Sequence, residues 1–304
     1  AAIFQQLQPA SPRFNFKFEY PYVSNTPFSV DFVFDLYKKD SLFNRISLDA
    51  GVKYLLNSRD YVRLAYINTS NRIIAPDLQY VLANKKLPNN IDVLNNGASL
   101  GFYFDKTDYI FNPRKGYTAQ LNAQFITRAI KKNAAITELV DGSGFDFSTI
   151  YDTFPSKMNQ YKVQGNLNLY APLAKQIVLK FAYNGGYISG KQLFMNELYQ
   201  IGGFALLRGF DELSFFVNQY HVATAELRFL FNQNSFFYLF SDNAYIQSNY
   251  NNLSQDNIPM GLGLGLNLEN SGGVFKIAVG IGKQEGSSFM LRQSKLHFGY
   301  VAFF

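Results

Sequence analysis

Few side chains in this 304-residue chain could do chemistry, and they are widely spaced. The two histidines, His221 and His297, sit in separate segments, and a lone histidine in such a setting is more often packed than a ligand. With no cysteine there is no thiolate nucleophile, thiolate metal site or disulfide. No Ser/His/Asp spacing, metal-ligand cluster or phosphate-binding loop is found, so neither a metal nor a cofactor is expected, and the chain does not read as an enzyme. Gly261-Leu262-Gly263-Leu264-Gly265 has the glycine spacing of a phosphate loop but no helix follows, so its glycines are expected to bend a strand or thin a wall. What remains is ionic. Arg208 stands in a Gly-rich stretch, Ile201-Gly202-Gly203-Phe204-Ala205-Leu206-Leu207-Arg208-Gly209-Phe210, with Glu226 and Asp242 downstream. An arginine that meets carboxylates away from water forms short, directional, charge-assisted pairs. Spacing alone leaves Arg208 equally a solvated loop residue and a latch.

The elements that would position this set must come from an unusual composition. Charged residues are 16% of the chain, where a soluble domain carries ~25%. Aromatics reach 17%, with 31 Phe, 21 Tyr and no Trp, yet mean hydropathy is near neutral at -0.10. Disorder is excluded, because disordered chains are poor in aromatics. A helical membrane protein is excluded too, since no apolar run reaches the ~18 residues a spanning helix needs.

Apolar positions alternate with polar ones at period two through most of the chain, the signature of strands. Leu262, Leu264, Leu266 and Leu268 alternate with Gly261, Gly263, Gly265 and Asn267; Phe14, Phe16, Phe18 and Tyr20 alternate with Asn15, Lys17 and Glu19. Thirteen strands are predicted, at 13–21, 27–38, 43–56, 60–71, 96–106, 115–130, 161–172, 176–189, 220–231, 235–248, 259–270, 273–284 and 294–304. No helix longer than two turns is expected. Most of these strands reach the ~9–11 residues of a tilted membrane-spanning strand, where soluble strands average ~5–6. The expected fold is all-β, a transmembrane antiparallel β-barrel with a polar lumen and an apolar outer band. Single-chain bacterial barrels have even strand numbers, so thirteen implies at least one more, and residues 1–8 could be its tail.

Connection lengths alternate. Short turns fall at Tyr22–Thr26, Asn57–Arg59, Leu173–Lys175, Asn232–Asn234 and Ser271–Gly272, and long connections near 72–95, 131–160, 190–219, 249–258 and 285–293. Outer-membrane barrels have short periplasmic turns and long outer loops. On that pattern both barrel termini are periplasmic and the last strand runs inward to Phe304. The net charge of +6 comes from scattered Lys and Arg, some in proposed outer loops (Lys85-Lys86, Lys131-Lys132), which fits attraction to a lipopolysaccharide surface and not to nucleic acid.

The stretch ending in Leu207-Arg208-Gly209-Phe210 resembles the loop motif of the BamA/TamA family of outer-membrane assembly factors, the bacterial surface antigen superfamily. There a Gly-Gly pair precedes V/I-R-G-F/Y, so Leu207 is a conservative departure. In that family the motif lies on the sixth extracellular loop with five strands after it, and five predicted strands follow Phe210 here. The resemblance extends to the inward Glu226, to Phe240-Ser241-Asp242-Asn243-Ala244 (like F-x-D-x-G, with Ala244 for Gly), and to a periplasmic turn running from Asp105 through Pro113 to Gly116. The terminal alternation through Phe298, Tyr300 and Phe304 is similar to the barrel targeting signature.

The resemblance implies a non-enzymatic assembly, insertion or translocation factor with Arg208 latched inside the lumen to Asp242 and Glu226 and a seam that opens laterally. It implies client outer-membrane proteins, periplasmic or lipoprotein accessory subunits, and lipid and lipopolysaccharide as partners. The family barrel has sixteen strands behind periplasmic repeat domains, so residues 1–304 are expected to form an N-terminally incomplete barrel domain. A passive pore or transporter barrel, or the membrane anchor and translocator of an upstream enzyme domain, are the other readings.

Overall fold

In the computed structural model, which describes residues 2–6, 11–155, 157–251 and 253–302, the period-two segments pair in sequence order into one antiparallel sheet. Its strands are β1 (Ala2–Gln6), β2 (Pro12–Tyr20), β3 (Phe28–Lys39), β4 (Phe43–Leu55), β5 (Tyr61–Ile73), β6 (Asp92–Asp105), β7 (Gly116–Lys131), β8 (Lys157–Ala174) and β9 (Ile177–Ser189). A two-stranded hairpin of β10 (Tyr199–Ile201) and β11 (Phe215–Val217) interrupts the series. The sheet resumes with β12 (Gln219–Leu230), β13 (Phe236–Tyr250), β15 (Met260–Asn270), β16 (Gly273–Lys283) and β17 (Lys295–Ala302), while β14 (Leu253–Asn257) extends β13 beyond the rim.

All thirteen predicted strands are present within a few residues, and β1 supplies a fourteenth, paired with β2 from Ala2↔Phe16 to Gln6↔Pro12. Among the described residues β1 and β17 do not pair with each other, so the sheet has two end strands. Phe304 lies outside the described residues.

Alternation decides which face each side chain takes. On β12, Tyr220, Val222, Thr224, Glu226, Arg228 and Leu230 are buried inward. On the outer face Phe16, Phe18, Leu48, Leu64, Phe181, Leu239, Leu264 and Phe298 stand exposed, an apolar band that water would penalise and hydrocarbon would not. The inner face carries ionic ladders instead. Arg63 of β5 reaches Asp31 of β3 and Asp49 of β4, and Lys53 Nζ lies 2.6 Å from Glu19 Oε1. These strands read as half-polar because one face is solvated and the other is not.

The short turns gather at one rim (21–27, 56–60, 106–115, 175–176, 231–235, 271–272) and the long connections at the other. Among the described residues two connections depart from the expected pattern: 106–115 is long for its rim, and 40–42 is short for the other. Residues 40–42 make a tight turn on the long-loop rim, closed by Leu42 N–H donating to Lys39 O at 2.9 Å, with Asp40 at φ 49°. Aspartate tolerates that left-handed backbone, and this allows two long strands to reverse without a loop. The long connections contain two short helices, α1 (Leu78–Asn84) and α2 (Ala134–Thr137), which join Ile91, Phe147, Ile150 and Phe194 in an apolar cluster over that rim.

Phe194 belongs to the connection between β9 and β12, and this segment is tied to β7, two strands along the sheet from β9, by a buried ion pair. Arg128 Nε of β7 lies 2.7 Å from Glu197 Oε1, Arg128 Nη2 donates to Glu197 Oε2 at 2.8 Å, and both side chains are almost fully buried. Removing one partner of such a pair leaves a buried charge uncompensated, at about 3–5 kcal/mol. Glu197→Gln is therefore expected to free residues 190–198 and to raise the rate of tryptic cleavage after the exposed Lys191 by two orders of magnitude or more. An unchanged cleavage rate would show that the pair does not hold the segment.

Candidate functional site: a loop latched to the inner wall

The connection between β9 and β12 turns into the lumen. Its stem is the β10–β11 hairpin, in register from Tyr199↔Val217 to Ile201↔Phe215, and its tip is residues 202–214. Tyr199 meets Tyr220 edge-on at 5.4 Å, Ser248 Oγ donates to Phe216 O at 2.6 Å, and Tyr37 OH donates to Gln200 Oε1 at 3.1 Å. The stem thereby touches both β3 and β12–β13. Within the tip, Leu207 is 1% exposed among Ile201, Val217, Tyr220, Val222 and Ala244, and this packing holds it at φ 69°, an uncommon backbone for leucine.

Leu207 points one way and Arg208 the other. Arg208 is 6% exposed, and its guanidinium donates from Nε to Asp242 Oδ2 at 2.9 Å, from Nη2 to Asp242 Oδ1 at 2.8 Å and from Nη1 to Glu226 Oε1 at 2.9 Å. Its backbone N–H also donates to Asp242 Oδ2 at 2.9 Å, and Thr224 Oγ1 donates to Asp242 Oδ1 at 2.8 Å. The two-pronged contact is the arrangement a planar guanidinium makes and an ammonium cannot. Burial alone would lower the arginine's pKa, but the bonds to Asp242 and the charges of Asp242 and Glu226 outweigh it and hold the group well above its ordinary value. Phe240 packs beneath, its ring centroid 3.8 Å from Arg208 Cζ, adding a cation–π contact.

The acidic pair is placed by register. Glu226 pairs with Phe240 across β12 and β13, and Thr224 with Asp242, so both carboxylates fall on the inner face two residues apart. Glu226 is also gripped by Arg228, whose Nη2 lies 2.8 Å from Oε2, and faces Lys180 Nζ at 3.5 Å. Two acids among three cations remain compensated although largely buried.

Where the tip meets β15 and β16, the wall presents glycines. Gly261 pairs with Gly282, and Gly263 with Gly280, across β15 and β16. A Cβ on Gly261 would come within 1.9 Å of Arg208 O, one on Gly282 within 2.7 Å of Gly209 O, and one on Gly280 within 2.9 Å of Gly209 N. These glycines thin the wall, as the sequence suggested, and the loop backbone lies in the space. Gly209 itself has φ 91°, and a Cβ there would stand 2.7 Å from Ile281 C, so no other residue fits without movement. Its N–H donates to His297 Nε2 at 3.3 Å, and His297 stacks on Phe204 at 5.7 Å and 8°.

At the opposite rim the turn from Asp105 to Gly116 is ordered by its own acids. Asp105 Oδ1 accepts from Thr107 N at 2.9 Å, Asp108 Oδ1 accepts from Arg114 N at 3.0 Å and Lys115 N at 3.1 Å, Pro113 is buried, and Gly116 takes φ 100° beside Lys106 O. Neighbouring Asp60 accepts from Lys106 Nζ, from Asn57 Nδ2 and from Asp105 N, which lowers its pKa to about 2. A depressed carboxyl pKa stabilises the fold at pH above the unfolded value near 4, and that contribution is lost as pH falls through the folded value. Amide exchange at Asp105, corrected for intrinsic rate, is thus expected to accelerate as pH is lowered from 4 to 2. Asp60→Asn should abolish that acceleration.

A model of the Omp85 superfamily domain matches residues 8–303. The chain belongs to the Omp85 superfamily. This is a superfamily of outer-membrane β-barrels, and the transmembrane barrel read from the strands agrees with it. Among solved structures the chain is similar to BamA from Haemophilus ducreyi lacking POTRA domains 1-3, with a TM-score of 0.62, 14% identity, and coverage of 95% of this chain and 61% of that one. It is also similar to the CymD monoaromatic hydrocarbon channel, with a TM-score of 0.35, 10% identity, and coverage of 90% and 78%. The chain spans about three-fifths of the length of the BamA chain it matches. No curated protein sequence matches it.

In this Omp85 chain Leu207, Arg208, Gly209, Phe210, Glu226, Phe240 and Asp242 come together in one cluster; Phe210 packs edge-on against Phe215 at 5.1 Å and over Gly282. Asp105, Pro113 and Gly116 shape the turn at the other rim, and Phe298 and Tyr300 face outward on β17. Sequence reading missed Thr224, Arg228, Phe204 and His297 as members of the cluster. Only the inward parity of Thr224 and Arg228 with Glu226, and of His297 on the last strand, could have found them.

Proposed function

We propose that this chain is the barrel portion of an outer-membrane protein assembly, insertion or translocation factor that acts without enzymatic chemistry. The observation carrying this reading is the latch: Arg208 held by Asp242 and Glu226 against the glycines of β15 and β16, inside an Omp85 barrel. A loop so placed fills the lumen and braces β12, β13, β15 and β16. On this reading β17, which among the described residues pairs only with β16, offers an incoming strand its outer edge by β-augmentation, since an edge strand presents a row of open N–H and C=O groups. The latch then keeps the C-terminal half rigid while the seam works.

On this reading the short-turn rim and both termini face the periplasm, periplasmic repeat domains precede the barrel, clients are other outer-membrane proteins, and lipoprotein or periplasmic subunits assist. A passive pore fits less well, because the loop occupies the lumen and an apolar cluster covers the long-loop rim. Depletion of the full protein with quantitation of other outer-membrane barrels tests the proposal. Their levels should fall, and unchanged levels would overturn it.

A further inference from the structure

The turn between β6 and β7 leans across the mouth of the barrel and reaches two elements that are not its sheet neighbours. Asn112 is 3% exposed; its Nδ2 donates to Gln233 O at 2.9 Å, in the turn between β12 and β13, and its Oδ1 accepts from Arg228 Nη1 at 3.3 Å. Asn234 Nδ2 donates to Tyr109 OH at 3.4 Å and to Glu269 Oε1 at 2.6 Å, which fixes the two turns against each other.

From Arg228 the contacts continue toward the loop. Arg228 Nη2 and Nε donate to Glu226 Oε2 at 2.8 Å and 3.1 Å, while Glu226 Oε1 accepts from Arg208 Nη1 at 2.9 Å. A carboxylate is planar, so a guanidinium holding one oxygen sets the direction of the other. Lys180 lies 3.5 Å from the same Oε1 and competes for it. If Arg228 swings away, nothing else in this set keeps Oε1 turned to Arg208.

We propose that Asn112 is a positioning residue for the latch: it orients Arg228, Arg228 orients Glu226, and Glu226 presents one oxygen to Arg208, so that the turn at one rim sets the occupancy of a loop that enters from the other. The inference rests on the latch reading above and adds to it a control point. A periplasmic-side event that shifts the turn releases the loop without touching it. The connection is a chain of discrete polar contacts whose coupling is measurable as a difference between variants.

The chain contains its own reporter, because trypsin cleaves after Arg208 only when the loop leaves the wall. In the purified folded barrel, Asn112→Ala is expected to accelerate cleavage at Arg208-Gly209 roughly ten-fold, as for the loss of one hydrogen bond to a charged group. Asn112→Asp keeps an acceptor for Arg228 while losing the donor to Gln233, and should return the rate to near wild type. Ile110→Ala, at the exposed tip of the same turn, should leave it unchanged. Rates are scored on the fraction that migrates as compact barrel without heating, so an unfolded variant is not counted. Equal acceleration in the Ala and Asp variants would mean that Asn112 only braces the turn, and no acceleration in either would mean that it does nothing for the loop; each result overturns the proposal. If Glu226→Gln accelerates cleavage but leaves client assembly intact, it is the functional reading that fails, and the positioning role of Asn112 is judged separately on the cleavage rates.

Discussion

Arg208→Ala is expected to release residues 202–213 from the wall while leaving the barrel folded and, on the proposed function, to abolish client assembly. The substitution removes the guanidinium bonds to Asp242 and the bond to Glu226. Glu226 keeps Arg228 and Lys180, but Asp242, with a side chain 1% exposed, keeps only Thr224 and the backbone N–H of residue 208. A buried carboxylate left so short of compensation costs about 3–5 kcal/mol. The loop can avoid that penalty by lifting off and admitting water, so the closed population should fall by a factor of about 10²–10³. Hydrogen exchange across residues 202–213 measures this directly. Arg208→Lys should fall between wild type and Ala, because an ammonium restores the charge but cannot fork between two oxygens of Asp242 and one of Glu226. Protection that matched wild type in the Ala variant would show that the glycine wall and the Leu207 pocket hold the loop without the ion pairs.

The barrel strands were legible because alternation at period two survives wherever one face meets hydrocarbon and the other a polar lumen. Phe14, Phe16 and Phe18 against Asn15, Lys17 and Glu19 admit one solution, and β2 forms there. The ends were less legible where strands run past the apolar band. β8 extends to Lys157 and β6 starts at Asp92, since pairing above the rim needs only hydrogen bonds and not a periodic apolar face. β14 and the β10–β11 hairpin were missed for the same reason. The site was half legible: Arg208, Glu226 and Asp242 stand out by charge in a chain with little of it, and the strand parities put both acids inward. What no local pattern encodes is the path of a 29-residue connection across the lumen, and therefore its partners His297 and Arg128, which lie 89 residues after and 80 before Arg208 in sequence. The glycines of β15 and β16 were visible as a peculiarity, but the backbone they admit was not.

That backbone allows the wall to be tested apart from the charges. Gly261→Val is expected to expel the loop tip as completely as Arg208→Ala, by sterics alone. Gly261 lies in an extended strand between Asp242 of β13 and Gly282 of β16, so a β-branched residue suits its backbone and the strand should form at least as readily. Its Cβ, however, would stand 1.9 Å from Arg208 O, and a main-chain carbonyl cannot rotate aside as a flexible side chain does. The loop must rise by more than an ångström, and at that displacement the 2.8–2.9 Å bonds from Arg208 to Asp242 are broken. Gly101→Ala is the control: its Cβ would meet its nearest neighbour at 3.6 Å, an ordinary contact, on the same inner face of a distant strand. Exchange protection at Gly209 and Phe210 should collapse in the first variant and persist in the second, and on the proposed function the levels of client proteins should follow. Because the ion pairs and the glycine wall secure the same segment, the double variant Arg208→Ala/Gly261→Val should open the loop little more than either single change. Full additivity would separate them, and would place the wall glycines in some role other than admitting the loop.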